Sequence, residues 1–386
     1  MILSRRVKAV SPSPTLAVTA RAKQMKAANI DLVNFAAGEP DWDTPDVIKE
    51  AAIDAIRSGF TKYTPTSGLP ELKQQICDKF KKDNNIAYKP EQVVVTCGAK
   101  HALYNILQAI ADSGHEVIIP SPYWVSYPEM CLLAGAKPVF VKTSLKNNFN
   151  LTGKDLKKAI TRKTKALIIN SPSNPAGSVL SIDQLKDIAA LCVSNNIYCI
   201  SDEIYEKLIY DNLRHESIGS LSDAIYKLTF TVNGVSKTYS MTGWRIGYLA
   251  GPLDAVQAIG RLQDHSTSNP SSISQKAAIA ALKLEPSFIS PMVEEFQNRR
   301  DCFLKRLDKA ELAYIRPRGA FYVFCNIKKT GLGSDEFCKR FLEEAKVAAI
   351  PGKGFGNDDY VRFSFATSMA DIEKGLDRLE GFLKRI

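Results

Sequence analysis

From about residue 93 to residue 250, short β-rich runs alternate with segments of helical spacing, and that alternation confines the chain to a mostly parallel sheet covered by helices. Strand candidates fall at 93–96, 116–120, 166–170, 198–201, 228–233 and 248–250. Each is a short apolar run, as a strand buried on both faces requires. Between them, Leu103, Ile106, Leu107 and Ile110 form one apolar helix face, and Leu185, Ile188, Ala189 and Cys192 form another. Past about residue 285 the texture changes. A long charged helix is expected over 290–309, then strands near 321–325 and 360–365, then a closing helix with Ile372, Leu376, Leu379 and Leu383 on one face. Strands and helices no longer alternate one for one there, so a smaller α+β domain is expected. Residues 1–44 carry little regular pattern and are expected to pack against it. The expected division is therefore a large domain over 45–285 and a small one over 1–44 with 286–386, without an internal repeat or a Gly/Ser-rich linker.

Composition narrows the function classes. A length of 386 residues suits two domains, and the 45% hydrophobic and 24% charged shares are those of a folded chain. No apolar run approaches the roughly 20 residues of a membrane helix. The N-terminal stretch is basic but lacks an apolar core followed by a small-residue cleavage site, so it does not read as a secretory signal and a cytoplasmic location is expected. Eight cysteines without a C-x-x-C pair read as reduced thiols, and four histidines without an H-x-x-x-H spacing leave little from which to build a metal site. The net charge is +10, but basic residues are interleaved with acids along helical segments such as 154–165 and 294–309. Nucleic-acid footprints need clustering, so these are expected to be solvated helix faces.

The chemistry-bearing residues fall at the ends of the strand candidates, where parallel α/β sheets place their ligand sites. Residues 96–100, Thr-Cys-Gly-Ala-Lys, run from a strand into a helix, so the N–H groups at Gly98, Ala99 and Lys100 are expected to face an anion. Trp124 offers an aromatic face, Asn174 an amide in a turn, Asp202 a carboxylate and Tyr205 a phenol. Lys237 ends the next strand, with Arg245 eight residues later. Singly these signals are weak, since a lysine after a strand is usually a solvated loop residue and a tryptophan usually core. Together they match a demanding set. Pyridoxal 5′-phosphate (PLP) chemistry needs a lysine amine, an anion for the pyridinium nitrogen, an apolar wall, donors to the phenolate oxygen and a phosphate cradle. Lys237, Asp202, Trp124, Tyr205 with Asn174, and the 98–100 turn with Arg245 supply them.

At these residues the chain resembles the class I, fold-type I aspartate aminotransferases of the bacterial branch. The resemblance extends through Pro12-Ser13-Pro14-Thr15, Ala37-Gly38-Glu39-Pro40-Asp41, Lys62-Tyr63-Thr64-Pro65, Pro122-Tyr123-Trp124-Val125-Ser126-Tyr127-Pro128, Ser201-Asp202-Glu203-Ile204-Tyr205-Glu206, Met241-Thr242-Gly243-Trp244-Arg245-Ile246-Gly247-Tyr248 and Val361-Arg362-Phe363-Ser364, in family order. It implies a homodimer with shared sites and amino-group transfer from L-aspartate to 2-oxoglutarate by a ping-pong route. Lys237 would hold PLP as a Schiff base and shuttle the proton at the substrate α carbon. Asp202 would keep the pyridine nitrogen protonated, Trp124 would stack on the ring, and Tyr205 and Asn174 would hold its phenolate oxygen. Arg245, the 98–100 turn, Ser236 and Tyr63 from the partner subunit would hold the phosphate. Arg362 would clamp the α-carboxylate under the Gly38 backbone, and Lys100 with Thr15 would take the distal carboxylate. Gly234 departs from the pattern, because some family members offer a phosphate-binding hydroxyl there. Trp42 and Ala176 stand where phenylalanine and threonine are commoner.

Three other readings stay open at this level: a preference for aromatic amino acids or prephenate, a PLP lyase on the same fold, and a regulator that keeps an aminotransferase-like domain. The regulator needs a DNA-binding segment, and only about 30 residues precede the first long motif. Lys237 and Asp202 would serve a lyase equally well. Lys100 discriminates, because a cation there repays the burial of a second carboxylate.

Overall fold

The structure is a computed structural model that describes residues 3–386. Among these residues the strands, in chain order, are β1 (Val33–Asn34), β2 (Val93–Thr96), β3 (Glu116–Ser121), β4 (Lys137–Lys142), β5 (Thr164–Asn170), β6 (Tyr198–Asp202), β7 (Thr229–Gly234), β8 (Gly247–Ala250), β9 (Tyr322–Asn326), β10 (Val347–Ala348), β11 (Ile350–Pro351) and β12 (Tyr360–Ser364).

Seven of them form one sheet in the order β2-β8-β7-β6-β5-β3-β4. Neighbouring residues of a strand point to opposite faces, and both faces are covered. On β5, Ile168 packs with Leu103, Ile106 and Leu107 of the helix Ala99–Ile110. Leu167 and Ile169 join Leu185 and Ile188 of the helix Ile182–Ser194 on the other face. This two-sided burial is why the run reads as continuously apolar. Each such side chain contributes about 1.5–3 kcal/mol on burial. The 116–120, 166–170, 198–201, 228–233 and 248–250 candidates are all strands, with ends moved by one or two residues.

One strand of this sheet is additional. β4 sits at the sheet edge, carries lysines at both ends and leaves Phe140 exposed. Edge strands tolerate lysine and proline, so this one lacks the apolar pattern of its neighbours. β8 alone runs antiparallel to both of its partners, β2 and β7. Its first residue therefore lies at the same sheet edge as the C-terminal ends of those strands, which brings Arg245 to the edge where Thr96, Asp202 and Gly234 end.

The second sheet, β11-β12-β9, is antiparallel and packs with the helices Ser290–Lys309, Ser334–Ala345 and Met369–Leu383 around Phe303, Phe321, Phe337, Phe341, Phe363 and Phe382. The N-terminal segment packs here through β1 pairing with β10 and through Ala22 and Met25 against Ile350 and Phe355. The expectation of little regular structure in residues 1–44 is corrected. Helices span Arg5–Ala9 and Pro14–Ala27. In the second, alanines, valine and methionine are spread around the axis and only Ala22 and Met25 are buried, so no apolar stripe marks it.

Candidate active site

A cavity of about 350 Å³ opens where the end of the seven-stranded sheet meets the N-terminal segment and the three-stranded sheet. Thr15, Gly38, Ala99, Lys100, Trp124, Asn174, Asp202, Tyr205, Ser236, Lys237, Arg245 and Arg362 all line it. Gly98 lies against it, because an added Cβ would fall 2.5 Å from Arg245 Nη2. Tyr63 is the exception. It is 92% exposed and lies outside the cavity, so this chain does not bring it to its own site.

Asp202 ends β6, nearly buried, and burial pushes its carboxyl up to about 6 against hydrogen bonds that favour the anion. Those bonds come from the Tyr127 hydroxyl to Oδ2 at 2.7 Å and from the Ile204 N–H to Oδ1 at 3.3 Å. Asn170 Nδ2 donates to the Asp202 carbonyl, and its Oδ1 accepts from the Asn174 N–H at 2.8 Å, so one side chain ties the ends of β5 and β6 to the Asn-Pro turn. Tyr205 hydrogen-bonds Tyr322 through their hydroxyls at 2.9 Å.

Lys237 donates from Nζ to the Gly38 carbonyl at 2.6 Å. Burial lowers its ammonium to about 8, which favours a neutral, nucleophilic amine. Arg362 is buried, with its guanidinium 4.3 Å from the Tyr322 ring centre. It donates to Asn174 Oδ1 at 3.1 Å and to the Ala36 carbonyl at 3.0 Å, while its buried Nε has no partner. Burial pulls the group below its ordinary value, yet a guanidinium stays charged. Lys100 projects its Nζ over the Trp124 ring at 4.9 Å and is lowered by desolvation and then by Arg245. Among the described residues, no carboxylate lies within ion-pair distance of Arg362, Lys100 or Lys237.

At the start of the helix Ala99–Ile110 one expectation is corrected. The Gly98 N–H does not face an anion, because it donates to the Thr96 carbonyl at 2.7 Å and closes the turn. Ala99 and Lys100 begin the helix, so their N–H groups have no intrahelical carbonyl to bond. Arg245 stands beside them, held by the carbonyls of Thr242 and Cys97. Gly98 has φ 85°, and its missing side chain makes room for that guanidinium. The glycine at 234 also has a physical reason: a Cβ there would meet Gly247 Cα and the Ile246 carbonyl at 3.0 Å across the β7–β8 contact.

The sequence reading missed Tyr127, Asn170 and Tyr322, which also line the cavity. Tyr127 follows Trp124 at a spacing of three at a helix start, a signal that could have found it. Tyr322 offers no local cue, because the second sheet brings it in.

Beyond β6, Glu203, Glu206 and His215 place ligand-type atoms within 4.8 Å of one another, a grouping invisible in sequence. Among the described residues most of its atoms are already engaged, buried His215 Nδ1 being the exception. Lys79 pairs with Glu206, Asn84 Nδ2 donates to Glu206 at 2.7 Å, Ser201 donates to Glu203 at 2.7 Å and Ser217 at 2.5 Å, and His215 Nε2 lies 2.9 Å from Glu203. Burial alone would lower His215, but the charges of Glu203 and Glu206 overcome it and the imidazole is raised.

The family profile described as aminotransferase class I and II matches residues 30–379. The chain is 49% identical to the aspartate aminotransferase of Bacillus sp. (strain YM-2), over 99% of each chain. It is 46% identical to the probable aspartate/prephenate aminotransferase of Rickettsia conorii, over 98% of each. The solved structure of the Thermus thermophilus aspartate aminotransferase with maleate superposes with a TM-score of 0.96 at 42% identity, covering 99% of both chains.

Proposed function

Since the chain belongs to the class I and II aminotransferases, which use PLP, we propose that it moves the amino group of L-aspartate to 2-oxoglutarate, giving oxaloacetate and L-glutamate. The observation that carries the substrate reading is that Arg362 and Lys100, two cations without acidic partners, share one cavity with Lys237. A buried guanidinium with an unpaired Nε is costly unless an anion completes it, and a dicarboxylate would answer both cations.

The residues fit the cofactor. Arg245, the N–H groups of Ala99 and Lys100, and Ser236 would hold its phosphate, with Tyr63 of a second copy completing the cradle in a homodimer. The 92% exposure of Tyr63 supports that last assignment. Trp124 would cover the ring, Asp202 would face its nitrogen, and Asn174 Nδ2 with the Tyr205 hydroxyl would hold its phenolate oxygen. When bound, PLP supplies an imine link to the enzyme and an electron-accepting ring. Lys237, freed from that link by the substrate amine, would take the proton from the substrate α carbon and return it, as a general base and acid. Arg362 would fix the α-carboxylate through its planar fork beneath the Gly38 backbone, and Lys100 with Thr15 would receive the distal one.

Residues 45–285 would form the large domain and 1–44 with 286–386 the small one, the cavity between them. The eight free cysteines, six of them buried, fit a reducing, cytoplasmic setting. A second reading, with prephenate as amino acceptor, takes its support from the name of the Rickettsia relative.

The test is a half-reaction. PLP-loaded protein mixed with aspartate alone should lose its visible absorbance and release one equivalent of oxaloacetate, and 2-oxoglutarate should then restore the absorbance and yield glutamate. Release of ammonia or a cleaved side chain instead would make the protein a lyase.

A further inference from the structure

The strongest hydrogen bond to Asp202 comes from Tyr127, a side chain to which the reaction outlined above assigns no part. Tyr127 is 2% exposed, and its hydroxyl lies 2.7 Å from Asp202 Oδ2. A phenol has one proton to give and a carboxylate only accepts, so the direction of donation is fixed. At this length the contact is a charge-assisted bond, roughly twice as strong as a neutral one. The other carboxylate oxygen has only the longer Ile204 N–H. Tyr127 stands in the first turn of the helix Ser126–Leu133, and its ring meets Trp124 edge to face at 5.4 Å. One side chain on a rigid element therefore braces both the carboxylate that would face the ring nitrogen and the indole that would cover the ring.

We propose that Tyr127 is a positioning residue for amino-group transfer, acting through Asp202: its hydroxyl holds the carboxylate as an anion, so that the proton between Asp202 and the cofactor nitrogen stays on the nitrogen. The inference rests on the reading of Asp202 given above. Burial favours a neutral Asp202, and the other ionisable groups facing it are Glu203, which favours protonation, Lys237, which opposes it, and Tyr205. Tyr127 is the donor that tips this balance. Without its bond the carboxylate becomes more basic and draws the proton from the ring, which then accepts electrons less readily. The phenol itself is pushed well above its ordinary range by burial, and so keeps its proton.

The experiment compares Tyr127→Phe, Asp202→Asn and the double variant, each loaded with PLP, by pH titration of the cofactor absorbance and by steady-state kinetics with aspartate. A less protonated ring makes the imine link more basic. Tyr127→Phe should therefore raise the titration midpoint by roughly half a pH unit to one unit and lower kcat about tenfold, with KM within about twofold. Asp202→Asn should shift the midpoint further in the same direction, and adding Tyr127→Phe to it should change neither readout. If Asp202→Asn leaves the midpoint in place, the reading of Asp202 itself falls. If Asp202→Asn shifts it and Tyr127→Phe does not, or shifts it equally in both backgrounds, Tyr127 has no role through Asp202. Tyr127→His keeps a ring N–H donor at this place and guards against a packing artefact. It should recover at least half of the lost kcat, and a rate no better than that of phenylalanine would overturn the proposal.

Discussion

In the cluster beyond β6, Lys79 and His215 stand against Glu203 and Glu206, and Asn84, Ser201 and Ser217 donate to the carboxylates. In the cavity, which Asp202 lines one residue before Glu203, the buried Arg362 and the more exposed Lys100 have no carboxylate within ion-pair distance among the described residues, and Arg362 Nε has no partner. Both regions take charge out of water, and both perturb it. The first closes its charges within the chain, and the second leaves them for something that arrives from outside. Buried charge that is paired internally is architecture, whereas buried charge left uncompensated in a cleft marks a binding site.

The largest expected effect separates the two regions by activity. Lys237→Ala should lower aspartate turnover by about ten-thousandfold or more, because it removes both cofactor attachment and proton transfer. Unfolding curves of the cofactor-free chain should show no matching loss of stability. A residual rate within a hundredfold of wild type would remove Lys237 from the chemistry.

Stability should separate the regions in the opposite sense. Lys79→Met leaves Glu206 buried and unpaired and should cost about 3–5 kcal/mol in denaturant unfolding. Arg362→Met removes a cation that has no counter-charge, so in the ligand-free chain it should be neutral or stabilising by up to about 2 kcal/mol. Equal losses in the two variants would erase the distinction.

Substrate choice sharpens the comparison inside the cavity. Arg362→Ala should weaken aspartate and phenylalanine alike, since both lose the α-carboxylate clamp. Lys100→Ala should lower kcat/KM for aspartate roughly ten- to a hundredfold more than for phenylalanine, the scale of a charge-assisted pair of about 1.5–3 kcal/mol. An unchanged ratio would return Lys100 to the role of an ordinary residue at a helix start.

The smallest effects are pH slopes of opposite sign. His215 is raised in the folded chain, so its contribution to stability is complete below about pH 6.5 and is lost as pH rises through the raised value. Lys237 is lowered to about 8, so its penalty is complete below pH 8 and fades as pH rises toward 10.5. Cofactor-free His215→Gln should lack the first slope, and Lys237→Ala the second. Thermal unfolding between pH 5.5 and 10 would detect a slope of the wrong sign.

The cavity was far more legible in sequence than the paired cluster. Asp202, Asn174 and Lys237 each follow a strand whose apolar run is plain, and a strand end at a parallel sheet is already a ligand position. Lys79 and Asn84 share the helix Pro70–Asn84, but Glu203 and His215 come from two other places, and nothing in a lysine on an ordinary helix announces that it will be buried. The β4 strand was lost for a related reason, since an edge position lets Lys137, Pro138 and Lys142 stand where a central strand would carry valine. The helix Pro14–Ala27, which brings Thr15 to the cavity, was hidden because few of its residues are buried.

The proposed chemistry depends most on which amine holds the cofactor. Loading the protein with PLP, reducing it with borohydride and mapping the digest by mass spectrometry reads that amine directly. The expected product is a single pyridoxyl-modified peptide carrying Lys237, formed in wild type and absent from Lys237→Ala. Modification of Lys100 or another lysine in its place, or equal labelling of the Lys237→Ala variant, would contradict the assignment.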